Sequence, residues 1–380
     1  MAARIKVLFQ LNQVGFGGTE KAMFTFCQNL DREQFDSYLF FHTDYKKPRY
    51  YLRQLAAALL PKHRKSFVEK YQTYFARLPD FQQVLGADHV FLGTMPDFLR
   101  VLQNVNPHIV HFNRGDEQDF YTRQIDAIDR KFILVEHSIF GKKASEHYLN
   151  RLDRVLLISQ WLKDKYAWTS PNAQVLYYPT QKLKHQQNLR SDLQIPEKAF
   201  VMGRISRPNL DNGLFVREVF QQLQADDTYL LWLAPPPEAR AMAAQFKNMI
   251  LLDPTTDENR LSAFYNSLDV LLHYRIEGET FGLNIAEAMI HGKPVVSHHS
   301  FMDNAQVELL QPEPYGEVGQ VAPENDQAAF VKHLLYYKNN PEICQQAGAN
   351  ARQKALALFA EDTITRQLEQ HYFQLMASKA

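Results

Sequence analysis

The chain has 380 residues, and its 42 Lys and Arg are balanced by 42 Asp and Glu, so the formal net charge is zero. That length suggests two domains, and 45% hydrophobic with 22% charged residues is enough to build cores, which excludes an intrinsically disordered chain. The charge balance argues against a general nucleic-acid binder, and Cys27 and Cys344 give no basis for a disulfide framework or a Cys-based zinc site.

Short apolar, β-rich runs alternate with helical patterns along the chain. The first series of expected strands is Ile5–Phe9, Ser37–Phe41, His89–Leu92, Ile109–Phe112, Phe132–Glu136, Val155–Ile158 and Val175–Tyr178. The second is Phe200–Arg204, Tyr229–Leu233, Met249–Leu252, Val270–His273 and Val295–Ser297. Between them lie amphipathic stretches such as Glu20–Leu30, with Met23, Phe26, Cys27 and Leu30 on one face. Strands apolar throughout and joined by helices predict parallel sheets covered on both faces. The polar stretch Gln181–Lys198 separates the two series. The expected fold class is therefore α/β: two Rossmann-like, doubly wound parallel-sheet domains facing a central cleft, with a C-terminal helix. The expected boundaries are 1–180, a linker at 181–198, a second domain at 199–360 and a helix at 361–380. In that helix Ile364, Leu368, Tyr372 and Leu375 form a stripe, Asp362 is the expected N-cap, and either domain could receive the stripe. No apolar run approaches the roughly 18 residues of a membrane span, and the N-terminus reads as a buried strand rather than a signal peptide. Cysteine usage fits a reducing compartment, so a cytoplasmic location is expected.

The most informative stretch is Val270–Ser297. A strand ends near Tyr274, a polar loop follows, and a helix is expected from Thr280 or Phe281 to His291, stopped by Gly292 and Pro294. Thr280, Phe281, Gly282 and Leu283 then fall at a helix N-terminus, where backbone N–H groups and the dipole suit a diphosphate. Gly282 allows close approach of a ligand to the backbone. Glu287, about two turns into the helix, suits the vicinal hydroxyls of a ribose, and Glu279 in the loop suits those of a sugar. Taken singly, each Glu reads equally as a solvated helix or loop carboxylate.

The whole string, Glu279 to Val296 as E-T-F-G-L-N-I-A-E-A-M-I-H-G-K-P-V-V, resembles the donor-binding motif of the retaining family 4 (group 1) glycosyltransferases with the GT-B fold. The resemblance implies that Glu279 contacts the donor sugar, that Glu287 holds the nucleoside ribose, and that the backbone over 280–283 lines phosphates and sugar. A second patch is Gly203–Gly213, GRISRPNLDNG. There Arg204 matches the family's diphosphate-binding Arg, while the Lys expected a few residues on is absent. Arg207 is either a substitute phosphate ligand or an ordinary loop cation. In QVGFGGTE, Gly17 and Gly18 resemble the family's glycine loop, bringing backbone N–H groups to donor phosphates or acceptor, with Thr19 able to cap the following helix. As a nicotinamide fingerprint that segment is poor, because Glu20 stands where Gly or Ala is needed. In VEHS, His137 ends a buried strand; the resemblance implies a place near the reacting sugar, a structural histidine is the alternative, and His111 and Asn113 lie on the neighbouring strand end with Glu136 pointing the other way.

No Asp-x-Asp occurs in the chain and no metal-ligand spacing is found, so no metal and no cofactor are expected. The stretch Tyr45–Arg77 carries Lys46, Lys47, Arg49, Arg53, Lys62, Arg64, Lys65, Lys70 and Arg77 against the single acid Glu69, interleaved with aromatics. It suits either a solvated helical hairpin or peripheral contact with an anionic membrane or lipid-linked acceptor. The resemblance thus implies a metal-independent hexosyltransferase of glycan biosynthesis. Its donor would be a UDP- or GDP-linked sugar and its acceptor a sugar, lipid-linked or protein hydroxyl, with no nucleic acid. The alternatives are a non-catalytic sugar-nucleotide-binding protein, a sugar-nucleotide epimerase or phosphorylase of the same fold, and an NAD oxidoreductase.

Overall fold

The computed structural model describes residues 4–43, 75–114, 130–142, 145–181, 186–206 and 213–379. It divides into two compact units, Met1–Pro179 with Ile364–Ala380, and Thr180–Thr363. Each is built on a doubly wound, fully parallel sheet.

In the first unit the elements are β1 (Ile5–Leu11), α1 (Gly18–Asn29), β2 (Phe35–His42), α2 (Leu78–Leu85), β3 (Val90–Gly93), α3 (Met95–Val105) and β4 (Ile109–Arg114). They continue with β5 (Ile133–Ser138), α4 (Glu146–Leu149), β6 (Arg154–Leu157), α5 (Gln160–Lys165) and β7 (Ala173–Val175). The strand order is β3-β2-β1-β4-β5-β6-β7. The second unit holds β8 (Phe200–Ile205), α6 (Leu214–Leu223), β9 (Thr228–Leu233), α7 (Ala239–Ala243), β10 (Met249–Leu252), α8 (Glu258–Asn266) and β11 (Val270–Leu272). There follow α9 (Leu283–Ile290), β12 (Val295–His298), α10 (Ala305–Leu309), β13 (Gly319–Ala322), α11 (Gln327–Asn339) and α12 (Pro341–Leu358). Its order is β10-β9-β8-β11-β12-β13. The order reverses beside β1 and β4 in one sheet and beside β8 and β11 in the other, and ligands of such sheets bind beyond the strand ends at that point.

The strands form because their apolar residues face helices on both sides; every residue of β5 is buried. In the second unit Phe200, Met202, Trp232, Val270 and Leu272 pack with Val216 and Phe220 of α6 and Phe330 and Leu334 of α11. The last helix, α13 (Glu361–Lys379), docks its stripe on the first unit. Tyr372 lies 5.9 Å from Phe35 between ring centroids, and its hydroxyl is 2.5 Å from His111 Nδ1.

Several local expectations are corrected. Helix α1 is buried from Glu20 to Cys27 on all sides, not along one stripe. It starts at Gly18 with Gly17 as N-cap, so Thr19 lies inside the first turn and does not cap it; its Oγ1 accepts from the Tyr178 hydroxyl at 3.3 Å. Helix α13 begins at Glu361, which puts Asp362 in its first turn rather than at the cap. The seventh strand is Ala173–Val175, which shares only Val175 with the expected run. Strand β13 was not expected, because Gly319–Ala322 has little β propensity. Its register depends on a glycine: a Cβ on Gly319 would lie 2.3 Å from the Val295 carbonyl oxygen of β12. The stretch expected as a linker is anchored to the second unit where it is described. The Arg190 guanidinium donates to Ser267 O at 2.9 Å, Ala199 O at 3.1 Å and Asp269 Oδ2 at 2.9 Å.

Candidate functional site

The richest constellation lies past the ends of β11 and β12 in the second unit. The loop between β11 and α9 is pinned to the segment after β12: Asp303 N donates to Glu277 O at 2.9 Å and Ala305 N to Glu279 O at 3.0 Å. Gly278, at φ +74°, makes this close approach possible, since a Cβ there would meet the Asp303 carbonyl oxygen at 1.7 Å. Gly282 takes φ 97° as the N-cap of α9, so the helix starts at Leu283 rather than at Thr280 or Phe281. The left-handed conformation that glycine tolerates is incompatible with a helical turn. Thr280 and Phe281 are therefore loop. The Phe281 side chain is 2% exposed and packs edge-on against Phe359 at 5.6 Å, leaving its backbone as the part that could face a ligand. The far end agrees with expectation: His291 is the C-cap and Gly292 follows at φ +69°.

Both proposed carboxylates are braced. Glu279 Oε2 accepts from Arg275 Nη1 at 3.1 Å, Oε1 lies 3.4 Å from His273 Nε2, and the Glu279 N–H donates to Gln306 Oε1 at 2.9 Å. The His273 Nδ1 is 2.9 Å from Ser297 Oγ. Beside it, His298 Nε2 accepts from the Arg275 N–H at 3.2 Å while its Nδ1 meets His299 O at 2.6 Å, and its ring stacks on Tyr274 at 4.6 Å. Glu287, 8% exposed on α9, accepts at Oε2 from the Tyr265 hydroxyl of α8 at 2.6 Å. The next turn is held too, with His291 between the Glu287 carbonyl at 2.7 Å and Ser262 Oγ at 3.1 Å.

Burial first, and then the charges of Arg204 and Arg275, push the His273 pKa below its usual value, against the opposing pull of Glu279. Burial and the neighbouring His273 bring His298 down to about 4. Burial and the Glu287 charge push the Tyr265 phenol well up. At neutral pH the two histidines are thus neutral hydrogen-bonding groups, and the charged members are the arginines and carboxylates. Arg204, on β8 in register with Trp232, is 4% exposed and close enough for its charge to act on both histidines. Arg207 lies outside the described residues, as do Asn209, Asp211 and Asn212, which stand where a Lys was expected. Sequence reasoning missed His273, Arg275, Ser297, Gln306 and Tyr265. Arg275 could have been found from its position four residues before Glu279; Tyr265 and Ser297 meet their partners only through packing.

In the first unit His137 is the penultimate residue of β5 and is fully buried. Its ring centroid lies 5.5 Å from His111, 6.1 Å from Phe26 and 5.3 Å from Tyr178. Its Nε2 is 3.2 Å from Leu176 O, its Nδ1 has no protein partner, and burial lowers its pKa to about 4. The neutral ring therefore donates from Nε2 and keeps an acceptor at Nδ1. Asn113 stands beside it in register, with neither side-chain amide atom hydrogen-bonded. Glu136 does point the other way, accepting from Tyr148 at 2.9 Å. Gly17 and Gly18 flank the start of α1, and neither they nor Gly15 takes a positive φ, so no tight left-handed turn is made there. The Glu20 carboxylate folds over Gly17, where an added Cβ would lie 2.0 Å from Oε2. An anion at this helix end would have to displace it.

Among the described residues no group of three or more His, Cys, Asp or Glu is placed to hold a metal ion, and no helix is long and apolar enough to cross a membrane. The basic stretch lies outside the described residues over 44–74; its end is packed, with Phe75 against Phe41 at 5.7 Å and Arg77 3% exposed.

Comparison with known proteins bears on this arrangement. Residues 196–340 match the family model described as glycosyl transferases group 1. Among curated proteins, the D-rhamnosyltransferase WbpZ of Pseudomonas aeruginosa is 25% identical over 121 residues, 32% of this chain and 30% of that protein. A trehalose synthase of Pyrococcus horikoshii is 30% identical over 111 residues, 29% of this chain and 24% of that protein. The match thus spans less than a third of either relative. Among solved structures, sucrose-phosphate synthase from Thermosynechococcus elongatus superposes with a TM-score of 0.69 at 17% identity, over 99% of this chain and 100% of that one. Anabaena HepE, solved in complex with UDP and glucose, gives 0.68 at 15% identity, over 98% and 100%. The structural likeness extends over the whole chain and carries the fold. The stretch that holds Arg204, the Glu279 network and Glu287 falls within the residues that match the group 1 glycosyl transferase model.

Proposed function

We propose that the protein is a metal-independent, retaining glycosyltransferase that moves a hexose-type sugar from a nucleotide diphosphate sugar to an acceptor hydroxyl. The observation that carries this reading is the pair of braced carboxylates, Glu279 before α9 and Glu287 within it, flanking the glycine-capped helix start. Glu287 takes the ribose diol and Glu279 the sugar hydroxyls. The backbone over 280–283 and Arg204, with Arg207 as a second cation, take the diphosphate. Negative charge on the departing diphosphate grows toward the transition state, so a preorganised guanidinium and helix N-terminus act more strongly there than on the bound donor. No side chain is assigned as base; the leaving phosphate oxygen accepts the acceptor's proton. In the first unit His137 offers its Nδ1 to a hydroxyl, and the loop at Gly17 and Gly18 meets the acceptor. The Glu20 carboxylate over Gly17 favours a neutral hydroxyl at that loop rather than a phosphate. The solved complexes of Anabaena HepE with UDP-glucose favour a UDP-linked hexose as the first donor to try. An acceptor on an anionic lipid surface, reached by the 45–77 stretch of a cytoplasmic protein, completes the reading.

The experiment is a thermal-shift panel of UDP- and GDP-linked sugars, followed by mass spectrometry of products with glycan and lipid-linked acceptors. A ligand bound only by the native state raises its melting temperature. A glycosylated product supports the proposal. Donor isomerisation without transfer would make the protein an epimerase, and binding without turnover on any acceptor a sugar-nucleotide-binding protein.

A further inference from the structure

Resting on the reading above, we infer that His273 is a positioning residue: a neutral imidazole that fixes the orientation of the Glu279 carboxylate, with Ser297 selecting its tautomer. His273 is the first residue past β11, and its side chain is 1% exposed. Its Nε2 faces Glu279 Oε1 at 3.4 Å and its Nδ1 faces Ser297 Oγ at 2.9 Å. A carboxylate only accepts, so Nε2 must carry the proton; Nδ1 is then a lone pair, and the Ser297 hydroxyl must donate to it. The Arg275 guanidinium holds the other oxygen, at 3.1 Å. Glu279 thus has a donor on each oxygen from two different side chains, which fixes the plane of the carboxylate as well as its position.

The division of labour follows from charge. Arg275 already supplies a cation, and Arg204 acts on His273 as well. A second cation against Oε1 would draw the carboxylate toward the protein and away from sugar hydroxyls. A neutral N–H holds it without adding a second charge. The main chain around the pair is equally fixed, with Glu279 N on Gln306 Oε1 at 2.9 Å and His273 N donating to Val296 O at 2.9 Å. A site requiring atoms placed to a few tenths of an ångström relies on such supports.

The test uses the full chain, its best donor from the panel, and UDP alone as the nucleotide probe. His273→Leu should lower kcat/KM for the donor sugar about 10- to 100-fold, the loss of one hydrogen bond to a charged group. UDP affinity and melting temperature should stay near wild type, because the nucleotide rests on Glu287. His273→Gln, which can return an N–H toward Glu279, should recover most of the loss, and Ser297→Ala should fall between. In a Glu279→Gln background, His273→Leu should cost nothing further. Unchanged donor kinetics in both His273→Leu and Ser297→Ala would overturn the inference. So would a parallel loss of UDP affinity and melting temperature, which marks a purely structural histidine, or full additivity with Glu279→Gln. If the wild-type protein transfers no sugar from any donor, the functional reading itself falls, which is a distinct result.

Discussion

The two sheets share a winding and differ in what stands at their strand ends. In the first unit the strands β4 and β5 carry His111, Asn113 and His137, walled by Phe26, Tyr178 and Tyr372. Burial keeps both histidines neutral there. In the second unit Arg204, Arg275, Glu279 and Glu287 stand near the equivalent strand ends, tied together by His273, Gln306 and Tyr265. Parallel winding decides where a site lies, and the few residues after each strand decide what it holds. The proposed function assigns the charged edge to a nucleotide diphosphate and the neutral aromatic edge to a hydroxyl-bearing group.

The largest test of that contrast removes the charged edge's cation. Arg204→Ala should lower kcat about 10²–10³-fold while circular dichroism stays native. If Arg204→Ala keeps normal kcat while Arg207→Ala is inactive, the two arginines have exchanged roles; if both variants stay active, this strand end is not the phosphate site.

The neutral edge should show itself in acid. His137 titrates at about 4 in the folded protein, against 6.5 for an ordinary histidine. Between these values the unfolded chain takes up a proton that the folded protein refuses. Its stabilising contribution is therefore complete above pH 6.5 and is lost as pH falls toward 4, by about 3 kcal/mol. Melting curves from pH 7 to pH 4 on wild type and His137→Gln should converge as pH falls. A variant that keeps the wild-type slope would show that His137 is not the group responsible.

Glu287→Ala should weaken nucleotide-sugar binding by about 1.5–3 kcal/mol. Because it also removes the nearer of the Tyr265 hydroxyl's two acceptors, Tyr265→Phe with Glu287→Ala separates that effect from ribose binding. Unchanged donor affinity by calorimetry would sink the ribose assignment.

The smallest expected effect is none. Turnover should survive EDTA, because Arg204 and the start of α9 are assigned the diphosphate charge. Activity lost to EDTA and restored by Mg²⁺ or Mn²⁺ would show that a metal shares that task.

Twelve of the strands were legible as apolar runs, since a strand buried on both faces writes its burial into consecutive residues. The Glu279–Val296 string was legible for a related reason: a strand end, a glycine N-cap and a helix with a glycine and proline stop are local features. Local signals place an element within two or three residues, which is why the start of α9 was expected at Thr280 or Phe281 and found at Leu283.

What the sequence by itself determined is thus the two series of strands that form two parallel sheets. Only the tertiary structure decided which unit receives α13, that Gly319 brings a thirteenth strand against Val295, and that Gly278 lets one loop close on Asp303. It alone set Tyr265 on Glu287 and His273 between Ser297 and Glu279. Periodicity and capping act over a few residues along the chain. These pairings join side chains 22 and 24 positions apart, or elements from different layers, and depend on how helices and loops settle on the sheet.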